Sequence, residues 1–319
     1  MKTLLLAQNH NQLDYVYGPK QIAWIKECSD LLCEKATMEQ LESYPETEVI
    51  FSTWSMPSLT PDHLKLLPNL KAVFYAAGTV KGFARPLLEN NIRLFSAWKS
   101  NAIPVAEFTY AQMILAAKGY FRNVNDYSGA PTGKGKSHAF RGPGFYDIRI
   151  GILGGGAIGQ LVMEKLKSQK IDVVYVDSWE SRREVSLEEA FESCFIVSNH
   201  FPNLEDNKKV ITGDMIMSMP KGGVFINTGR GAQIDEAGLL KAMIARPDLT
   251  ALLDVTDPEP VQSPDLIQLP NVHISTHIAG SLNNEVHKMS DSMIQEFIDW
   301  TEGRPTDNYV DWDRFNMMA

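Results

Sequence analysis

The sequence is short of cysteine, of positive charge and of long apolar runs. Cys28, Cys33 and Cys194 make an odd count of three with no CxxC pair, which excludes a disulfide framework and a cysteine zinc site. They read as free thiols in a reducing cytosol, and no metal site is expected. Lys and Arg number 30 against 39 Asp and Glu, a formal net charge of −9, so nucleic acid and anionic membrane are not expected partners. A local arginine could still hold an anionic substrate. No apolar run approaches the length of a membrane span. The opening Met1-Lys2-Thr3-Leu4-Leu5-Leu6-Ala7 passes straight into Gln8-Asn9-His10-Asn11-Gln12 and reads as a first β-strand rather than a signal peptide. A tandem repeat of short period is also missing. What remains is a chain of 319 residues, 44% hydrophobic and 22% charged, an ordinary cytoplasmic globular composition with room for two domains.

What is present centres on Ile148–Gly159, where an apolar run ends in a glycine turn and an amphipathic run follows. Gly154, Gly156 and Gly159 have the GxGxxG spacing. The first glycine allows the tight turn, the second lets a pyrophosphate approach the backbone, and the third lets the helix pack on the strand. The helix N-terminus then offers free N–H groups to phosphates. A second apolar run, Ile171–Val176, ends in Asp177, placed to accept hydrogen bonds from both adenine-ribose hydroxyls.

Upstream, strands are expected at Thr3–Ala7, Glu48–Thr53, Lys71–Tyr75 and Ile92–Ser96, and helices at Pro19–Glu34 and Pro61–Leu67. This alternation implies a parallel sheet with crossover helices. Asn101 is expected to cap a long helix reaching about Asn123, with Pro104 in its first turn. Residues 128–144, rich in Gly, Ser, Pro and Lys, read as an irregular excursion. From Ile148 six strands are expected: Ile148–Leu153, Ile171–Val176, Cys194–Asn199, Gly223–Thr228, Thr250–Val255 and Val272–Thr276. The helical runs between them include Ser186–Glu192, Gly213–Met219 and Asp235–Ala245, and the whole fits a doubly wound dinucleotide fold. A last helix runs from about Leu282 to Thr301.

Three strand ends carry reactive side chains. Arg230 lies between Gly229 and Gly231, and a guanidinium there can clamp a carboxylate and polarise a carbonyl oxygen. Asp254 ends an apolar run, and Glu259 follows between Pro258 and Pro260, which stiffen its loop. His277 follows the last strand, and histidine is suited to give and take a proton near pH 7. An acid/base, a carboxylate to orient it and an anion clamp are the parts needed for hydride transfer to a 2-oxo acid.

The chain resembles the D-isomer-specific 2-hydroxyacid dehydrogenase family. The resemblance rests on Gly151–Gly159 with Asp177, Ser198-Asn199-His200-Phe201-Pro202, Asn227-Thr228-Gly229-Arg230-Gly231, Asp254–Pro260 and Thr276-His277-Ile278-Ala279-Gly280. It spans most of residues 100–281 and is weaker before them, where Leu70–Val73 and Ala76–Gly78 carry it. It implies an α/β architecture of two doubly wound parallel-sheet domains. Residues 1–100 with 283–319 would form a flavodoxin-like substrate-binding (catalytic) domain, and 101–282 a Rossmann NAD-binding domain. The active site would lie in the cleft, with hinge closure excluding water, and such enzymes are usually homodimers.

The resemblance also implies roles. Arg230 would hold the substrate carboxylate and carbonyl, joined by backbone N–H groups around Ala77 and Gly78. His277, held by Glu259, would protonate the carbonyl oxygen. The cofactor would contact Gly154, Gly156, Ala157, Ile158, Gly159, Asp177, His200, Pro202, Thr228, Asp254 and Gly280. Asp177 would repel a 2′-phosphate, which favours NAD over NADP, although Arg182 and Arg183 follow closely. The chain departs from the family at Val80 and Lys81, where an acid and an Asn are common, and in Trp98-Lys99-Ser100 and residues 128–144. Glu259 argues against formate dehydrogenase, a relative with Gln there. No regulatory domain is expected after the last helix. The expected activity is NAD-dependent interconversion of a D-2-hydroxy acid and a 2-oxo acid. The alternative is a non-catalytic NAD-binding regulator or corepressor-like scaffold. Selectivity among acids is expected from Trp54, Tyr75, Trp98 and Lys99.

Overall fold

The computed structural model describes residues 1–130 and 139–318. Of the excursion expected at 128–144, residues 131–138 lie outside that description. The chain forms two compact units: Met1–Ala102 with the segment from Ser281 onward, and Ile103–Gly280.

In the first unit, β1 (Lys2–Leu6), β2 (Asp30–Ala36), β3 (Val49–Ser52), β4 (Ala72–Tyr75) and β5 (Arg93–Ser96) make a parallel sheet in the order β2-β1-β3-β4-β5. That is the flavodoxin-like order, with its switch point between β1 and β3. The inner strands read as continuous apolar runs because both faces are covered. On one face Phe51, Phe74 and Phe95 meet Phe297 of the helix Val286–Thr301, with Phe74 and Phe95 stacked at 4.5 Å. Burying each ring contributes about 1.5–3 kcal/mol. That helix starts four residues later than expected, because residues 283–285 form a 3-10 turn.

One strand differs from the sequence reading. The helix expected over Pro19–Glu34 stops at Cys28, and Asp30–Ala36 is β2. Ser29 turns extended and its Oγ donates to the Ile25 carbonyl, while Asp30 N donates to Met1 O and starts the pairing with β1. Two register shifts interrupt that pairing, so β2 lacks the period-two alternation that marks a strand.

In the second unit, β6 (Arg149–Leu153), β7 (Asp172–Val176), β8 (Ile196–Asn199), β9 (Val224–Asn227), β10 (Thr250–Leu253) and β11 (Val272–Ile274) make a parallel sheet. Its order is β11-β10-β9-β8-β6-β7, so the direction of winding reverses between β6 and β8. All six strands are where the apolar runs put them. Each is trimmed by one or two residues as the backbone leaves the ladder.

The connecting helix also differs. It begins at Trp98, so Asn101 lies within it and Pro104 is interior. Asn101 N donates to Ala97 O, and its Oδ1 accepts from Ser281 N, so the side chain ties down the returning chain instead of capping. Pro104 supplies no N–H to the Ser100 carbonyl. The helix ends at Lys118, where Gly119 takes φ +73 and a second helix, Tyr120–Ser128, starts.

Candidate active site

Every residue expected to hold the cofactor lies in the second unit, at or just beyond the carboxyl end of a strand. This is the rim where open parallel sheets bind ligands. After β6, Gly154 has φ +96, and a Cβ there would stand 2.7 Å from His200 O. A Cβ on Gly159 would stand 2.0 Å from Gly154 O, so only glycine lets the helix Ala157–Leu166 sit this close to β6. Gly156 behaves differently: its Cβ would meet nothing within 4 Å among the described residues. The N-terminus of that helix therefore faces open space, bordered by Ala157 and Ile158, as a phosphate cradle requires.

Asp177 follows β7. Its Oδ1 accepts from Trp179 N at 2.8 Å and its Oδ2 from the Tyr175 hydroxyl at 3.0 Å. Arg183 Nε donates to the Asp177 carbonyl, and Arg182 lies over the Trp179 ring. The two arginines are thus used within the loop itself.

His200 follows β8 and is buried, with Nε2 3.0 Å from Ser198 Oγ and Nδ1 without a partner among the described residues. Burial disfavours its charged form and pushes its pKa down to about 4, so the ring is neutral at pH 7. An unpartnered polar atom beside the glycine turn suits a hydrogen-bonding ligand. Pro202 turns the loop onward and its carbonyl accepts from Asn207 Nδ2. Thr228, after β9, shares a buried hydroxyl contact of 3.0 Å with Thr109. The open helix terminus, the unpartnered imidazole nitrogen and the acid after β7 together fit a dinucleotide.

The three reactive side chains come together in the same unit. His277 Nδ1 is 2.8 Å from Glu259 Oε1. A carboxylate only accepts, so Nδ1 carries the proton and Nε2 is left to exchange one with a substrate. Arg230 is largely buried, and burial lowers its pKa while the nearby Glu259 carboxylate opposes that shift. It stays cationic. Arg230 Nη1 donates to Gly229 O at 2.8 Å, which leaves most of its donors available. Gly231 explains why this turn lies against the Glu259 loop. A Cβ there would fall 2.0 Å from the Thr256 carbonyl carbon, so glycine lets the two segments touch.

Asp254, expected at the cofactor, has work of its own. Its Oδ1 accepts from Ser275 Oγ (2.6 Å) and Ile278 N (2.9 Å), and its Oδ2 from Ala279 N (2.9 Å). Its carbonyl accepts from His277 N. These bonds hold His277 at φ +57, in the left-handed region that few non-glycine residues occupy. Gly280 ends that turn.

Ala77 and Gly78 belong to the first unit, after β4. Ser96 Oγ donates to both of their carbonyls, at 2.8 and 2.6 Å. The Ala77 N–H is spent on Tyr75 O, so the loop presents the N–H of Gly78. Of the expected selectivity residues, Tyr75 is a core residue against Phe83, and burial pushes its hydroxyl up to about 12. Lys99 pairs with Asp307, Trp98 lies under the Arg314 guanidinium, and Trp54 stacks near Tyr15. The sequence reading missed Gln233. It is fully buried, and no periodicity or motif spacing marks a buried polar residue in a turn.

The family model for the NAD binding domain of D-isomer specific 2-hydroxyacid dehydrogenases matches residues 111–279. The chain belongs to this family. NAD is accordingly its cofactor, and the chemistry is that of a 2-hydroxy acid dehydrogenase. Among curated relatives, the glycerate dehydrogenase of Methylorubrum extorquens is 26% identical over 256 residues, 76% of this chain and 80% of that one. The hydroxypyruvate reductase of Thermotoga maritima is 25% identical, covering 85% of this chain and 94% of that one. A D-3-phosphoglycerate dehydrogenase of Methanocaldococcus jannaschii is 27% identical, and the match spans 51% of its length. The solved structure of D-2-hydroxyisocaproate dehydrogenase superposes with a TM-score of 0.77 over 97% of this chain and 99% of that one, at 20% identity, a likeness of fold.

Proposed function

We propose that this dehydrogenase reduces a small 2-oxo acid to the D-2-hydroxy acid, reversibly, with His277 as proton donor, Glu259 as its orienting partner and Arg230 as carboxylate and carbonyl clamp. The observation that carries this reading is the 2.8 Å contact between His277 Nδ1 and Glu259 Oε1, with the Arg230 guanidinium close enough to feel that carboxylate.

NADH, when bound, supplies the hydride to the carbonyl carbon. Arg230 holds the substrate carboxylate through parallel N–H bonds and draws electron density from the carbonyl oxygen. His277 Nε2 gives its proton to that oxygen as negative charge develops on it. Glu259 accepts the Nδ1–H throughout, which fixes the tautomer left after transfer. In the oxidative direction the neutral ring takes the hydroxyl proton back. Gly154, Gly156, Ala157, Ile158 and Gly159 would cradle the pyrophosphate, Asp177 the adenine ribose, and His200, Pro202, Thr228, Asp254 and Gly280 the remainder of the cofactor. The first unit would contribute substrate recognition through the Ala77–Gly78 loop, and the working enzyme is expected to be a homodimer.

Relatives described as acting on glycerate, hydroxypyruvate and glyoxylate support a small, polar 2-oxo acid. NADH consumption against glyoxylate, hydroxypyruvate, phosphohydroxypyruvate, pyruvate and a branched 2-oxo acid tests the proposal, with NADPH run in parallel. Turnover of one or more small oxo acids with NADH is the expected result. Tight NADH binding with no turnover on any of them would overturn it in favour of an NAD-binding scaffold.

A further inference from the structure

The amide of Gln233 uses all of its hydrogen-bonding capacity. Its Oε1 accepts from Asn199 Nδ2 at 2.5 Å and from Arg230 N at 3.1 Å. Its Nε2 donates to the carbonyls of Phe201, at 2.6 Å, and Pro202, at 2.9 Å. Asn199 in turn accepts from Phe201 N and donates to Asn227 Oδ1, and Asn227 Nδ2 donates to Arg230 O. The main chain of Arg230 is thus held on its N–H by Gln233 and on its C=O by Asn227. All three amides are fully buried.

Burying an amide costs free energy that a shape-matched apolar side chain would not. The return here is directional. None of the bonds made by Gln233 closes a strand ladder. Two end on the loop that carries His200 and Pro202, and one ends on the backbone of the substrate arginine. A side chain that spans both loops sets their relative position by bond length and angle.

We propose that Gln233 is a positioning residue that couples the cofactor-side loop after β8 to Arg230, so that cofactor affinity and oxo-acid affinity depend on one buried amide. This rests on the reaction proposed above.

The test uses two variants of the full-length enzyme. Gln233→Met keeps the length and removes every hydrogen bond. Gln233→Glu keeps the shape, and its carboxylate, once ionised, faces the Phe201 and Pro202 carbonyls with no proton to offer. For the folded Gln233→Met variant we expect KM for the oxo acid to rise about ten-fold. The NADH Kd should rise severalfold alongside it, with the pH midpoints of kcat unchanged. For Gln233→Glu we expect kcat/KM, as a ratio to wild type at each pH, to fall as pH rises and to recover at low pH, where the protonated carboxyl can again donate to one carbonyl. A folded Gln233→Met variant with wild-type KM and NADH Kd overturns the proposal, even if its thermal midpoint is lower. Where that variant does not fold, a pH-independent ratio for Gln233→Glu overturns it. Should the wild-type enzyme reduce no oxo acid, the proposed reaction fails separately, and an unchanged NADH Kd in both variants then overturns the coupling.

Discussion

At the switch point of the five-stranded sheet, the loops after β1 and β3 are tied to each other: Gln8 N donates to Ser55 O and Asn9 N to Ser55 Oγ. At the switch point of the six-stranded sheet, the loop after β8 is also anchored, by His200 N on Leu153 O. There, however, the chain turns away through Gly154 and leaves Gly156 facing open space. Two sheets whose strands are wound alike thus end in a closed crevice in one unit and an open cradle in the other. Architecture provides a rim, and the loop residues decide whether the rim binds anything.

The largest effect should come from the open rim. Arg230→Lys keeps the charge and loses the planar fork, and kcat/KM for the oxo acid should fall about 10²–10³-fold. NADH affinity should stay within a few-fold of wild type, as fluorescence titration would show. An equal loss of NADH affinity would mean that Arg230 belongs to the cofactor rather than the substrate.

Next in size is the acid response of His200. Its pKa is pushed down to about 4 by burial, so between there and its ordinary value of 6.5 the unfolded chain binds more protons than the folded one. The contribution to stability is complete above pH 6.5 and is lost as pH falls through 4, at most about 3 kcal/mol. Denaturant melts of wild type and His200→Gln should differ by a constant amount above pH 6.5 and converge towards pH 4.

The glycines separate folding from binding. Gly159→Ala drives a Cβ into the Gly154 carbonyl and should cost about 1–3 kcal/mol of stability. Gly156→Ala meets no atom of the described residues within 4 Å, so its thermal midpoint should match wild type while NADH affinity drops about ten-fold. A Gly156→Ala protein that binds NADH normally would remove the cradle from the account. The smallest effect belongs to the closed crevice. Ser55 has φ +67, and Ser55→Gly trades that strain against one lost hydrogen bond, a net change within about 1 kcal/mol.

What could be read from the sequence follows the same division. The inner strands of both sheets were legible because they are buried on both faces and stay apolar throughout. The β2 edge strand was not, because its register shifts erase alternation and its charged residues look helical. The helix from Trp98 begins ahead of its apparent cap because Asn101 answers to Ser281, a partner 180 residues away. Arg230, Glu259 and His277 could be picked out as candidates, since each follows a strand and carries a distinct chemistry, and the fold brings His277 and Glu259 into contact. Two contributions could not be picked out. Asp254 reads as a strand-end acid, yet its carboxylate shapes the His277 turn. Gln233 sits between Ala232 and Ile234 with nothing to mark it, because its partners are backbone groups that only the folded chain assembles.

In the proposed reaction His277, held by Glu259, supplies the proton while the glycine cradle holds the cofactor independently of it. The most direct test is NADH oxidation by wild type and His277→Ala with the best oxo acid, each paired with an NADH binding titration. His277→Ala should lose about 10²–10⁴-fold in kcat with NADH affinity unchanged. A His277→Ala enzyme that retains wild-type turnover would contradict the proposed reaction.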